Sequence, residues 1–141
     1  MSAPVALARY LDNEGIITYD EAGTGGNCFT GPLAPKPALA VSIRQYGGSG
    51  DIKFALDIPR IQVRVRAAAS DEALAKAQEI YEALHGLVFT TMDPGGDAEK
   101  YVFECRALDL PSDVGIDENG RPEYVINFEI EHQGDAMRRE S

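Results

Sequence analysis

Residues 57–87, DIPRIQVRVRAAASDEALAKAQEIYEALHGL, change their hydrophobic period once, and that change constrains the fold more than any other feature of the chain. Ile61, Val63 and Val65 alternate with Gln62, Arg64 and Arg66, the two-residue period of a strand with one face buried. From Ser70 onward Ala73, Leu74, Ala77, Ile80, Tyr81 and Leu84 recur at helical spacing. Ser70 is placed to cap that helix, Asp71 and Glu72 suit its positive end, and His85 and Gly86 close it. A strand with one apolar face followed by a helix with one apolar stripe predicts that the two pack together. Burying Leu74, Ile80 and Leu84 contributes roughly 1.5–3 kcal/mol each, against at most about 1 kcal/mol for an exposed pair such as Glu72 with Lys76.

The same alternation recurs elsewhere. Leu39, Val41 and Ile43 share one face of a strand over 39–43, and a short strand is expected over 87–91. The turn chemistry of Asp93-Pro94-Gly95-Gly96 joins that strand to 101–107, with Tyr101, Phe103, Cys105 and Ala107 inward and Val102, Glu104 and Arg106 outward. Over 124–131, Tyr124, Ile126, Phe128 and Ile130 face one way and Val125, Asn127, Glu129 and Glu131 the other. A short first helix is expected behind Ser2, through Pro4, Leu7, Ala8 and Leu11. The predicted fold class is α+β: an antiparallel sheet of four or more strands, the helix of about 70–85 packed on one face, and a short N-terminal helix.

Three connecting stretches invite a functional reading. GTGGN at 23–27 is no phosphate loop, because it leads into Cys28-Phe29-Thr30-Gly31-Pro32 and not into a Gly-Lys-Ser/Thr helix start. The segment 109–123 holds Asp117, Asn119 and Gly120 as in a calcium loop, yet the first ligand position falls on Gly115 and the bidentate position on Ile126, so an Asn-Gly turn is expected. QYGGSGDIKF at 45–54 combines glycines with Tyr46, Ile52 and Phe54. It reads either as a loose hairpin loop folded back on the domain or as an arm that packs on a neighbouring subunit.

At 141 residues the chain is expected to form one domain over 1–132, with the polar, aperiodic tail 133–141 disordered in a free subunit. The start carries no secretory leader pattern, and no apolar run approaches the roughly 20 residues of a membrane span. Thirteen basic against twenty-three acidic residues give a net charge of −10, which repels nucleic acid. Cys28 and Cys105 lie far apart and outside any metal-binding spacing, so both read as reduced thiols.

No catalytic residue, cofactor or metal site is expected. His85 ends a helix, His132 ends a strand, and no nucleophile elbow is present. The outward carboxylates Glu104, Glu129 and Glu131 are the strongest candidates for acid/base or metal chemistry, but Arg64, Arg66 and Arg106 alternate outward beside them. Opposite charges on paired strands suit a solvated or partner-facing sheet. Tyr46, Ile52, Phe54, Arg64, Arg66, Glu104, Arg106, Glu129 and Glu131 are therefore the candidate subunit-interface residues.

The proline-led strand DIPRIQVRVRA, the helix ALAKAQEIYEALHGL and the late GIDENGRPEYVINFEI turn and strand, in that order, resemble the tail-terminator proteins of long-tailed bacteriophages, often labelled minor capsid proteins. The resemblance covers about residues 7–131. It implies an α+β subunit of a homo-oligomeric ring, six-fold, that sits in the virion at the head-proximal end of the tail after assembly in the host cytoplasm. Such a ring stops tube growth and offers a head-joining surface. Its partners would be the tail-tube protein and a head-completion or neck protein, with DNA only as passing cargo and no membrane. The rival readings are another neck or head-tail completion protein and, from a different class, a small acidic α+β enzyme or ligand-binding module.

Overall fold

Val41 and Ile43 on one strand and Ile61, Val63 and Val65 on the next must hide on the same side, and the pairing achieves it: Val41 lies opposite Val65 and Ile43 opposite Val63. The structure, a computed structural model, describes residues 2–22, 24–51 and 56–134. Its elements are α1 (Ala3–Asn13), β1 (Cys28–Phe29), β2 (Ala40–Asp51), β3 (Leu56–Arg66), α2 (Ser70–Leu84), β4 (Leu87–Met92), β5 (Lys100–Ala107), β6 (Ser112–Ile116) and β7 (Pro122–Gln133). They form one sheet in the order β1-β2-β3-β7-β5-β4, with β6 also on β7. Every pair of these strands is antiparallel except β1 with β2. The fold is α+β, as the periodicities predict.

Both helices feed one core. Ala73, Ala77, Ile80 and Leu84 of α2 are buried, and the last three join Ile61, Val63, Ile126, Phe128 and Ile130 in a single cluster with Leu7 and Leu11 of α1. Helix α1 touches both β2 and β4, strands with three others between them in the sheet, so the sheet curls around it. Ser2 caps α1, its Oγ accepting the Val5 N–H at 3.4 Å. Arg9 fastens α1 to the β4–β5 turn by donating to Asp93 Oδ2 and Asp97 Oδ1, both at 2.6 Å, and also pairs with Glu21. At the start of α2 the expected cap is displaced by one residue. Ala69 occupies the cap position without a side-chain bond, and Ser70 Oγ instead lies 3.4 Å from the Tyr124 hydroxyl. Leu74 is only half-buried, because the buried stripe runs through the two alanines beside it.

Four further differences from the sequence reading have physical causes. In β5, Val102 pairs with His132 but Glu104 with Glu131, so Phe103 is an extra, bulged residue. The bulge reverses facing on one side of it: Lys100 and Val102 are buried while Tyr101 and Phe103 are half-buried, and beyond it Cys105 points inward as expected. Second, β2 runs on through Asp51, paired with β3 as far as Leu56, where a loop was one of the two expectations. Third, β6 has no sequence forecast. It continues the line of β5 along β7, with Leu108 N–H donating to Asn127 O at 2.8 Å across the break. Finally, Gln133, counted with the tail in the sequence reading, belongs to β7, and residues 135–141 of that tail lie outside the described residues.

Candidate functional site

The face of the sheet opposite the helices is built from the polar half of each alternating strand, and its central strands carry the charges singled out from sequence. Glu129 on β7 is shared by Arg60 of β3, whose Nε donates at 3.2 Å, and by Arg106 of β5. Arg106 also donates to Glu104 Oε1 at 2.8 Å and stands 3.8 Å from Glu131 Oε1. Farther along, Gln62 Nε2 donates to Asn127 Oδ1 at 3.2 Å and Arg64 Nη1 to Glu123 Oε1 at 2.6 Å. The structure thus brings Arg64, Glu104, Arg106, Glu129 and Glu131 onto one surface. Hydrogen bonding to Glu104 and the nearby charge of Glu129 raise the Arg106 guanidinium further above its usual value. Part-exposed pairs of this kind are worth at most about 1 kcal/mol each, and their arrangement matters more for orienting a partner than for holding the fold.

Arg66 departs from the open placement expected of it: it is only 3% exposed. The connector between β1 and β2 crosses over it, and Arg66 donates to Pro37 O at 2.7 Å and Ala38 O at 3.2 Å. Arg121 holds the same connector through Pro35 O at 2.7 Å. Burial and the neighbouring Arg121 charge lower the Arg66 value, with Asp117 and Glu123 acting against them. Asp117 is itself occupied by its turn, Oδ1 accepting the N–H groups of Asn119 and Arg121 and Oδ2 the Arg121 Nε. That use of the carboxylate fits a structural turn, as the failed calcium-loop spacing implied.

The segment 45–51 forms the outer part of a two-stranded arm with 56–60. Tyr46 sits at a register shift between Gln45 and Gly47 and is 49% exposed. Gly48 has φ +126, and a Cβ placed there would lie 2.3 Å from Ile58 O and 2.6 Å from Pro59 Cα. Only glycine allows the two backbones this approach. Ile52 and Phe54, expected to act with Tyr46, lie outside the described residues. At the arm's base is an open cavity of about 480 Å³, lined by Ser2, Gly47, Gly48, Asp57, Lys100 and His132 among others. Lys100 and His132 are buried there, and neither was singled out as an inward residue from sequence.

Sequence reasoning also missed a border of exposed apolar side chains on β4 and β6. Val88 and Phe89 of β4, Leu108 and Leu110 of the β5–β6 link, and Val114 and Ile116 of β6 are all exposed. The alternation of Val114 and Ile116 with Asp113 and Gly115 was the available signal.

Burial pushes the Cys28 and Cys105 thiols up to about 12. His85 Nδ1 accepts the Ala107 N–H at 2.9 Å, and its ring stacks on Tyr81 with centroids 5.0 Å apart. Among the described residues no helix is long and apolar enough to cross a membrane.

Comparison with known proteins agrees with this geometry. No curated protein matches the sequence. A solved structure described as "Virion of native gene transfer agent (GTA) particle" shares the fold, with a TM-score of 0.61 and 17% identity over 94% of this chain and 100% of that one. Residues 10–133 match the family model described as "Bacteriophage tail terminator protein". Because that match takes in α2, the charged sheet face, the arm and the Asp117 turn together, the chain belongs to the bacteriophage tail terminator family, a family of structural phage proteins.

Proposed function

We propose that this protein is a tail terminator subunit that assembles as a hexameric ring on the head-proximal end of the phage tail tube, stops tube polymerisation and presents the surface to which the filled head is joined. The observation that carries the reading is the family match over 10–133. The sheet face supports it. Its ion pairs neutralise one another and leave a patterned, rigid surface suited to docking, with Arg64, Glu104, Arg106, Glu129 and Glu131 as contact residues. Tyr46, with Ile52 and Phe54 of the same arm, packs on the neighbouring subunit. Arg66 serves indirectly, by holding in place the 35–38 connector that crosses over it. The partners are then other copies of this chain, the tail-tube protein and a head-completion or neck protein. DNA only passes through, and a net charge of −10 keeps it from sticking.

The test is tube assembly in vitro. Tail-tube subunits polymerised with the protein should give tubes that stop growing and carry a ring at one end by electron microscopy. Tubes that elongate at the uninhibited rate with bare ends, and a protein that stays monomeric by light scattering even on tubes, would refute the reading.

A further inference from the structure

We infer that the exposed apolar border centred on Phe89 is the surface that receives the Tyr46 arm of a second copy of this chain. The inference rests on the ring reading and names its repeating contact. Phe89 has φ +48, a left-handed backbone that aromatic residues rarely adopt, and its side chain is 70% exposed. Val88 beside it and Leu108, Leu110, Val114 and Ile116 along the β5–β6 line are exposed as well, Ile116 also at 70%. A residue in a rarely adopted conformation that holds an aromatic ring out into water, beside further uncovered apolar groups, is what a contact surface for a partner requires.

The occupant follows from the sheet order. Strand β2, which carries Tyr46, lies toward one side of the sheet, while β4 ends the other and β6 lies on that same side of β7. The central strands between them carry paired charges. One apolar surface on each border of the same sheet is the layout of a heterologous contact, in which unlike patches meet and the repeat closes a ring. Charge fits as well. Arg44 on β2 is exposed with no ion-pair partner among the described residues, and Asp109 and Asp113, exposed beside the border, likewise have no ion-pair partner there.

The test is crosslinking of the full chain with a short bismaleimide. The native thiols are buried and do not compete. A chain carrying both Tyr46→Cys and Phe89→Cys should give a ladder of covalent multimers under assembling conditions, and each single variant should give none, because the contact joins unlike surfaces. Phe89→Gly, which suits the left-handed backbone, should weaken assembly about tenfold or more without lowering the melting temperature. A ring without the ladder, ladders from a single variant, or unchanged assembly of Phe89→Gly would overturn this contact and leave the ring standing. A wild type that never forms rings, alone or on tubes, would overturn both.

Discussion

Replacing Gly48 by alanine should open the arm and spare the core. The new Cβ would lie 2.3 Å from Ile58 O and 2.6 Å from Pro59 Cα, both backbone atoms that cannot swing aside, and φ +126 is itself outside the range of ordinary L residues. Holding alanine there costs roughly 1–3 kcal/mol in backbone strain alone, and the contact adds to it. The arm beyond Gln45 presents exposed Tyr46 and glycines and buries little apolar surface of its own, so the cheaper response is to give up the pairs from Gly48↔Pro59 out to Asp51↔Leu56. Amide exchange over 47–51 and 56–60 should then quicken by about 5- to 150-fold, the factor that corresponds to 1–3 kcal/mol. Exchange in α2 and at Ile61–Val65 should hold at wild-type rates, and melting should fall by only a few degrees, on the order of 4 °C for each kcal/mol lost globally. Gly47→Ala is the internal control, since a Cβ there meets nothing within 4 Å. Equal exchange in Gly48→Ala and wild type, or an equal effect from Gly47→Ala, would refute the argument that backbone approach is what requires this glycine.

Other substitutions test the core, the thiols and the turn. Phe128→Ala, at a fully buried position, should cost about 3–5 kcal/mol, whereas Leu74→Ala, at a half-buried one, should cost clearly less; denaturant melts that show the reverse order would unseat the core assignment. Cys28 and Cys105, with thiols raised to about 12, should resist iodoacetamide at pH 8 in the native protein and react fully in denaturant, as mass spectrometry would report. Hydrogen bonding, chiefly from the Arg121 backbone N–H, holds the Asp117 carboxyl below the usual carboxylate range. Its contribution is therefore present above the unfolded value of about 3.9 and lost as the pH falls through the lower folded one, so Asp117→Asn should flatten the acid side of the melting-temperature profile; an unchanged profile would contradict this.

Strands β3 and β7 were legible because each shows an uninterrupted two-residue period with one face buried, and α2 because its stripe is long. The border of β6 was missed because all of its residues are exposed, so the short alternation of Val114 and Ile116 marks no core-facing strand. Half of β5 was misfaced by a bulge at Phe103 that no local residue announces. Glycines 47, 48 and 50 suggest looseness by composition, whereas at Gly48 the reason is contact with the opposite backbone. The placement of Arg66 could not be read from its own strand, because what covers it comes from the connector at 35–38. The charged members of the candidate surface were found from alternation alone. Their partners across β3, β5 and β7 needed the register.

Placing β7 in the middle of the sheet also sets the order in which the chain can gain structure. Arg64 meets Glu123 across 59 residues and Arg60 meets Glu129 across 69, while Arg9 of α1 waits for Asp97 across 88. Strands β2 and β3 can zip together as a local hairpin, but β3 has an open edge and β5 lacks its inner neighbour until β7 has been synthesised. Long-range closure of this kind is slow, and the apolar faces stay uncovered meanwhile. The β2–β3 and β4–β5 hairpins and the two helices are local, so the contacts that join them into one core wait for residues 122–133, and β7 is the strand whose arrival closes the fold.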